Sequence, residues 1–325
     1  MSLEILKPGL LTSVQDLGRP NHRALGVPVG GAVDTFSLQV ANALVGNEPH
    51  AAALEITLLG PRLRFTQDAV IALCGGRFEA SLEDLALPMW RAMRVAAGSI
   101  LDIGRSQRGA RLYLAIAGGL NCPRILDSRA TALDGSFGGW QGRALRAGDS
   151  LPLSECFSLG RHWPRQSIGL RLARWWANPA PALTLEPIAE IGLLPGHHLP
   201  EGNETLFDTE FQVDSRSNRM GLRLESETPI ALANQPTLSE PVSIGTVQLP
   251  PEGKPIVRRP DAQPFGGSRR IAHTPSAAPP RLAQLAPSDR LRFVPNTEAM
   301  ALQRLQQLDR HLQRLQDSAR DALRD

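Results

Sequence analysis

Leu112-Tyr-Leu-Ala-Ile-Ala117, set between Arg111 and the pair Gly118-Gly119, is the stretch on which the fold turns. An apolar run this short, closed by a charge on one side and glycines on the other, reads as a strand rather than a helix. Runs of the same kind recur at 63–65, 69–73, 255–257 and 291–294. With 29 glycines and 27 prolines spread along the chain, the pattern suits closed barrels or sandwiches better than a wound α/β sheet, so the expected class is mainly β with few short helices.

Two segments carry helical periodicity. Residues 34–45 place Asp34 as N-cap ahead of Phe36, Leu38, Val40, Ala41 and Leu44, with Gly46 as the stop. Residues 297–323 carry Met300, Leu305, Leu308, Leu312, Leu315, Ala319 and Leu323 at three-and-four spacing, an amphipathic helix that either lies on its own barrel or forms a coiled-coil contact, including a homodimer. At 325 residues the chain has room for two domains. The composition shift to arginine, tryptophan and proline, with Arg174-Trp175-Trp176 and Pro179-Ala-Pro181, marks a connector. The expected organisation is a first half at 1–154, a connector at 155–182, a second half at 183–295 and a C-terminal helix at 296–325. Trp175 and Trp176 are expected on a domain seam, since a buried indole needs a partner for its N–H. A faint repeat, Glu55-x4-Gly60-x10-Ile71 against Glu240-x4-Gly245-x10-Ile256, suggests similar halves in which each Glu ends a strand, each Gly bends the chain and each Ile opens the next strand.

The net charge of +3 comes from scattered arginines, with Lys7 and Lys254 the only lysines and Tyr113 the only tyrosine. A basic stripe interleaved with aromatics is missing, so no nucleic-acid partner is expected. Cys74, Cys122 and Cys156 form no C-x-x-C, which argues against a disulfide framework or a zinc knuckle and for a reducing compartment. No basic leader and no run near the roughly 18 apolar residues of a membrane span is present, so a cytoplasmic protein without membrane contact is expected. His197 and His198 are adjacent without H-x-H or H-E-x-x-H, and no metal site is expected. The Walker A loop, the G-x-G-x-x-G fingerprint and the G-x-S-x-G elbow are all missing.

Polar residues concentrate in two places. The first is Thr12-Ser-Val-Gln-Asp-Leu-Gly-Arg19 with Gly26-Val-Pro-Val-Gly-Gly-Ala-Val-Asp34, where glycines let a ligand approach backbone beside Asp16, Arg19 and Asp34. The alternative is an Asp–Arg pair across a turn with Asp34 as a cap. The second comprises Ser217-Asn-Arg-Met-Gly-Leu-Arg223, Leu238-Ser-Glu-Pro-Val-Ser-Ile-Gly-Thr-Val-Gln-Leu-Pro-Pro251 and Asp261-Ala-Gln-Pro-Phe-Gly-Gly267. Arg219, Glu240, Gln248, Asp261 and Gln263 together offer one cation, two carboxylates and two amides, suited to a small carboxylate or lactam and to proton handling. The alternative has Arg219 and Glu240 neutralising each other between strands.

Taken in order, these clusters resemble the KipA family, also called allophanate hydrolase subunit 2-like, which supplies the C-type subunits of 5-oxoprolinase and is related to the carboxyltransferase region of urea carboxylase. Further matching pieces are Ala41-Asn42, Leu44-Val-Gly-Asn47, Leu54-Glu-Ile-Thr57, Gly60-Pro61, Tyr113-Leu-Ala115, Ser128-Arg129 and Ser239-Glu-Pro-Val242 with Gly245-Thr-Val-Gln248. The resemblance implies two tandem cyclophilin-like β-barrels and a chain that works with two partners, a KipI-like subunit and a LamB/YcsF-type subunit. The implied activity is ATP-dependent opening of 5-oxoproline to glutamate, an amide hydrolysis carried out only in the complex, with ATP shared with the KipI-like partner. It further implies Asp16, Arg19, Arg219, Glu240 and Asp261 as catalytic residues and Gln15, Asp34, Gln248 and Gln263 as substrate-binding ones. Two other functions stay open: a carboxyltransferase component that takes carboxylated biotin from another chain, and a non-catalytic regulator that binds a KipI-like kinase inhibitor. The chain departs from the family pattern at Asp127, Ala130, Pro264 and Ser268; if those residues shape a ligand pocket, the expected consequence is either another substrate or a chain that has lost catalysis and keeps only its contact with the KipI-like subunit.

Overall fold

The computed structural model describes residues 2–154, 170–180, 182–183, 186–196, 198–199, 205–231 and 238–324. Cys156, His197, Pro181 and the 155–169 part of the connector lie outside the described residues. The first half contains β1 (Ser2–Lys7), β2 (Leu11–Gln15), α1 (Thr35–Leu44), β3 (Ala53–Thr57), β4 (Arg62–Phe65), β5 (Ala69–Leu82), β6 (Leu85–Ala86), β7 (Arg91–Val95), β8 (Ile100–Ile116), β9 (Ser150–Pro152) and β10 (Arg171–Trp176). These strands form one ten-stranded sheet whose main path runs β10-β7-β5-β8-β4-β1-β9, with β2 joined through β3 to β8. Strand β10 therefore brings residues 171–176 of the connector into the first sheet, beside β7.

The second half contains β11 (Ile188–Pro195), α2 (Thr205–Asp208), β12 (Glu210–Val213), β13 (Gly221–Glu225), β14 (Glu240–Pro241), β15 (Thr246–Leu249), β16 (Ile256–Arg258), β17 (Phe265–Gly266), β18 (Arg269–His273), α3 (Pro279–Gln284), β19 (Arg290–Pro295) and α4 (Glu298–Arg324). Seven of its strands close into a barrel in the order β11-β18-β15-β16-β13-β12-β19, and β14 pairs with β17 as a separate ribbon. The chain is thus mainly β, with a closed barrel, few helices and a long C-terminal helix.

The run at 112–117 is apolar throughout because both faces of β8 are covered. Leu112, Leu114 and Ile116 enter one core with Leu54, Ile56, Ile71 and Leu73, whereas Tyr113 and Ala115 enter a second core under α1 with Phe36, Leu38 and Ala72. Alternation of side chains across a strand sends successive residues to opposite layers. Helix α1 starts where the sequence places it, since the Asp34 carboxylate accepts the Ser37 N–H at 2.9 Å.

Helix α4 does not lie on the barrel it follows. Leu308, Leu312 and Leu315 pack against the core under α1, and His311 stacks on Phe36 with ring centroids 5.9 Å apart. Trp175 packs against this same core, but Trp176 is 64% exposed, because alternation along β10 turns neighbouring side chains to opposite faces. The repeat also diverges in detail: Glu55 lies inside β3 rather than at its end, and Ile71 is the third residue of β5, whereas Glu240 opens β14 and Ile256 opens β16. Among the described residues no helix is long and apolar enough to cross a membrane.

Candidate functional site

Strand register builds the centre of the site. Pairing of β3 with β8 sets Glu55 opposite Tyr113 and Thr57 opposite Arg111, all at the face that looks away from the Leu54–Leu114 core. On the barrel, β13 pairs antiparallel with β16, which brings Arg219, just before β13, beside Arg259 and Asp261, just after β16. Backbone bonds fix that junction: Arg259 N–H donates to Met220 O at 3.0 Å and Asp261 N–H to Arg219 O at 3.1 Å.

The two halves meet at Arg219. Its Nε and Nη2 donate to the two carboxylate oxygens of Asp261 at 2.8 and 2.9 Å, the forked geometry a guanidinium favours. Its Nη1 donates to Glu55 of the first half, and Nη2 also donates to Gly31 O at 2.6 Å. Glu55 accepts further bonds from Tyr113 Oη at 2.6 Å and Val33 N–H at 2.9 Å. Burial alone would raise the Glu55 pKa, but Arg219 and Arg111 with these hydrogen bonds outweigh it and hold the group below its ordinary value. Burial likewise disfavours the Arg219 cation, and Glu55 with Asp261 reverses the effect and raises its pKa.

Arg111 and Arg259 complete the cluster. Arg111 donates to Ala283 O at 2.6 Å and lies 3.7 Å from Glu55. Arg259 donates to Leu282 O at 2.8 Å and Asn218 O at 3.2 Å, while its buried Nε has no partner. Burial, reinforced by Arg111 and Arg219, pushes the Arg259 pKa well below its ordinary value. Three guanidinium groups thus share two carboxylates, Glu55 and Asp261. An uncompensated charge in a low-dielectric seam is costly, and an incoming anion relieves that cost. A cavity of about 310 Å³ opens beside the cluster, lined by Arg111, Arg219, Arg259 and Asp261 together with Ser217, Asn218 and the exposed Asp134.

Asp34 stands behind this centre. Its carboxylate accepts from Ser37 and, across the seam, from Gln284 Nε2 of α3 at 2.9 Å, and Gln284 Oε1 accepts the Arg111 backbone N–H at 3.0 Å. Complete burial pushes the Asp34 pKa up to about 6, against the lowering effect of Ser37 and Gln284. Asp34 is therefore a structural cap and a seam contact, set apart from the cavity.

Asp16 and Arg19 form a neighbouring group. Asp16 accepts Ser128 Oγ at 2.6 Å, Arg129 N–H at 2.6 Å and Gly18 N–H at 2.8 Å, so it organises a turn instead of pairing directly with Arg19. Arg19 is 1% exposed; its Nη2 donates to Ala130 O at 2.6 Å and its carbon lies 4.9 Å from the Phe137 ring centroid. Nε and Nη1 of Arg19 have no hydrogen-bond partner. Burial lowers its pKa, and Asp16 and Asp261 work in the opposite direction. Gly30 separates Arg19 from Asp261: a Cβ there would lie 3.0 Å from Arg19 Nη1 and 4.0 Å from Asp261 Oδ1. Its φ of +64° also favours glycine.

The remaining sequence-derived residues lie elsewhere. Glu240 pairs with Arg270 at 2.6 Å, both side chains one-third exposed, so it neutralises neither Arg219 nor the cluster. Gln248, on β15, donates to Ser268 O at 3.2 Å. Gln263 is exposed, and Gln15 is buried with Nε2 on Ser13 Oγ at 2.9 Å. Of the departures from the family pattern, Ala130 and Ser268 serve Arg19 and Gln248 through backbone carbonyls, contacts that do not depend on their side chains. Asp127 is at the surface, 3.3 Å from His22, and Pro264 O accepts the Val242 N–H at 2.8 Å. Sequence reasoning missed Glu55, Arg111, Arg259 and Gln284 as site residues. The available signal was a lone carboxylate in the apolar Leu54-Glu-Ile56, which needs a buried cation.

The family model described as carboxyltransferase domain, subdomain A and B, matches residues 25–295. The chain is 35% identical to the C-type 5-oxoprolinase subunit of Escherichia coli over 317 residues, covering 96% of this chain and 97% of that one. It is 32% identical to the urea amidolyase of Saccharomyces cerevisiae over 318 residues, 90% of this chain but 16% of that one. The crystal structure of the Kluyveromyces lactis urea carboxylase superimposes with a TM-score of 0.84 at 30% identity, covering 98% of this chain and 29% of that one.

Proposed function

The chain belongs to the carboxyltransferase-domain family that includes the C-type 5-oxoprolinase subunits, and from that premise we propose that it is the corresponding subunit of an ATP-dependent 5-oxoprolinase, seating the carboxylate of 5-oxoproline in the seam cavity. The observation that carries this reading is Arg259, a buried guanidinium at the cavity wall that makes no ion pair with Glu55, Asp261 or Asp134. The substrate carboxylate supplies the partner that Arg259 lacks. Arg219 is locked by Asp261 and Glu55, so Arg259 and Arg111 are the groups with capacity to take it.

A lactam resists water until its carbonyl oxygen is made a leaving group. In the proposed reaction that oxygen attacks the γ-phosphorus of ATP and ADP departs, on a site shared with a KipI-like partner. Water then adds to the activated carbon, the C–N bond opens with proton transfer to nitrogen to leave an acyl phosphate, and a second water hydrolyses that acyl phosphate to glutamate and inorganic phosphate, with a LamB/YcsF-type partner. Arg19, whose buried Nε and Nη1 have no partner, is in this proposal the group that holds charge developing on oxygen. The test is ATP-dependent glutamate release from 5-oxoproline by this chain with its two partners, each omitted in turn. Release that needs all three supports the proposal, and none from an assembled complex refutes it.

A second reading rests on the similarity to the urea carboxylase structure: the same cavity would receive the carboxylate of carboxybiotin delivered by another chain. Carboxyl transfer to urea in the presence of a biotin carboxylase, without glutamate release, would favour it.

A further inference from the structure

We propose that the cleft between the barrel and α4 is a second binding site, for the carboxylate of a small organic acid. It is separate from the seam cavity and does not depend on the function proposed above. The cleft has a volume of about 270 Å³ and is walled by β11, the segment leading into α3, Asn296 and the first turns of α4. At roughly 30 Å³ per water it holds an acid of about five carbons.

Asn296 is the anchor. It is 92% buried, its backbone N–H donates to Leu193 O at 2.9 Å, and its Oδ1 accepts the Thr297 N–H at 2.9 Å. With Oδ1 committed, Nδ2 is left as a buried donor without a partner. An unmet buried donor is costly, which is the signature of a place where another acceptor belongs. A Cβ at position 192 would come within 2.6 Å of that Nδ2, so Gly192 is what keeps room beside the donor.

Two cations line the same cleft, Arg281 of α3 and Arg304 of α4, and among the described residues neither has a carboxylate partner. Glu190 on β11 is the one acid in the lining. The resulting balance of one net positive charge suits a single carboxylate better than a phosphate dianion, which Glu190 would repel. Ile191 and Leu308 give the acid's carbon chain an apolar wall. An acid bound there would tie α4, which otherwise packs on α1, to the barrel, and so would bridge the two halves.

The test is calorimetric titration of the full chain with valerate, a five-carbon monocarboxylate, and, separately, with inorganic phosphate. It compares the wild type with Arg281→Gln, Arg304→Gln and, as the control for the seam cavity, Arg259→Gln. Arg304 is exposed on α4, so its replacement leaves the fold intact, checked by the thermal transition. Valerate is expected to bind the wild type and Arg259→Gln alike at this site, and about tenfold more weakly when either cleft arginine is removed. Valerate binding untouched by both cleft substitutions, its loss only in Arg259→Gln, no binding, or phosphate binding at least as tightly as valerate would each overturn the proposal.

Discussion

The seam cluster around Arg219 and the outer pair of Glu240 with Arg270 contain the same chemistry, a guanidinium on a carboxylate, yet they sit in opposite dielectric surroundings. Arg219 and Glu55 are 4% and 1% exposed at the side chain, whereas Glu240 and Arg270 are each 33% exposed. The lesson is that residue type and proximity in sequence do not set the energetic weight of a charge pair. Burial does, because water screens the outer pair and cannot reach the inner one.

Removing one partner from each pair tests the contrast. Glu55→Gln leaves three buried guanidinium groups with one carboxylate and should have the largest effect, a loss of about 3–5 kcal/mol by denaturant unfolding together with loss of activity in the assembled enzyme. A loss under about 1 kcal/mol would erase the distinction between seam and surface.

Asp34 sharpens the comparison through pH. Its folded pKa, about 6, lies above its ordinary 3.8, so between those values the folded state holds a proton that the unfolded chain has released. That contribution to stability is full below pH 4, declines as pH rises toward 6 and is flat above, amounting to on the order of 3 kcal/mol. Asp34→Asn, which keeps the capping oxygen, should remove this decline, read as the difference between the stability profiles of variant and wild type from pH 4 to 7. Parallel profiles would show that Asp34 is ionised throughout.

Glu240→Gln should do least: under about 1 kcal/mol of stability, and less than a twofold change in rate. A large loss of activity with stability intact would move the reacting centre from the seam to the β14–β17 ribbon.

Much of this was legible in the sequence. The apolar runs give the strands, the Asp34 cap gives α1, and the glycine-bearing clusters contain Arg219 and Asp261, which the β13–β16 pairing then joins. The partner of Arg219 was not legible, because Glu55 is 164 residues away and reaches it only after two separately folded layers dock. Arg259 was passed over beside Arg258 since nothing local distinguishes the buried member of the pair. Glu240 and Gln263 drew attention by their company in the sequence, while the ribbon holding them turns Glu240 to Arg270 and leaves Gln263 in solvent. The docking face of α4 was equally hidden, for an apolar stripe states that something covers it and not which half does.

The most direct test of the unpaired Arg259 is steady-state kinetics of the proposed three-subunit assembly carrying Arg259→Gln, with its stability measured in parallel. Stability is expected to be unchanged or slightly raised, since an unbalanced buried charge is removed. KM for 5-oxoproline should rise about tenfold or more with kcat less affected, since a carboxylate contact is lost. An unchanged KM with a fall in stability would contradict this account, and would make Arg259 a structural strut with no part in holding the substrate.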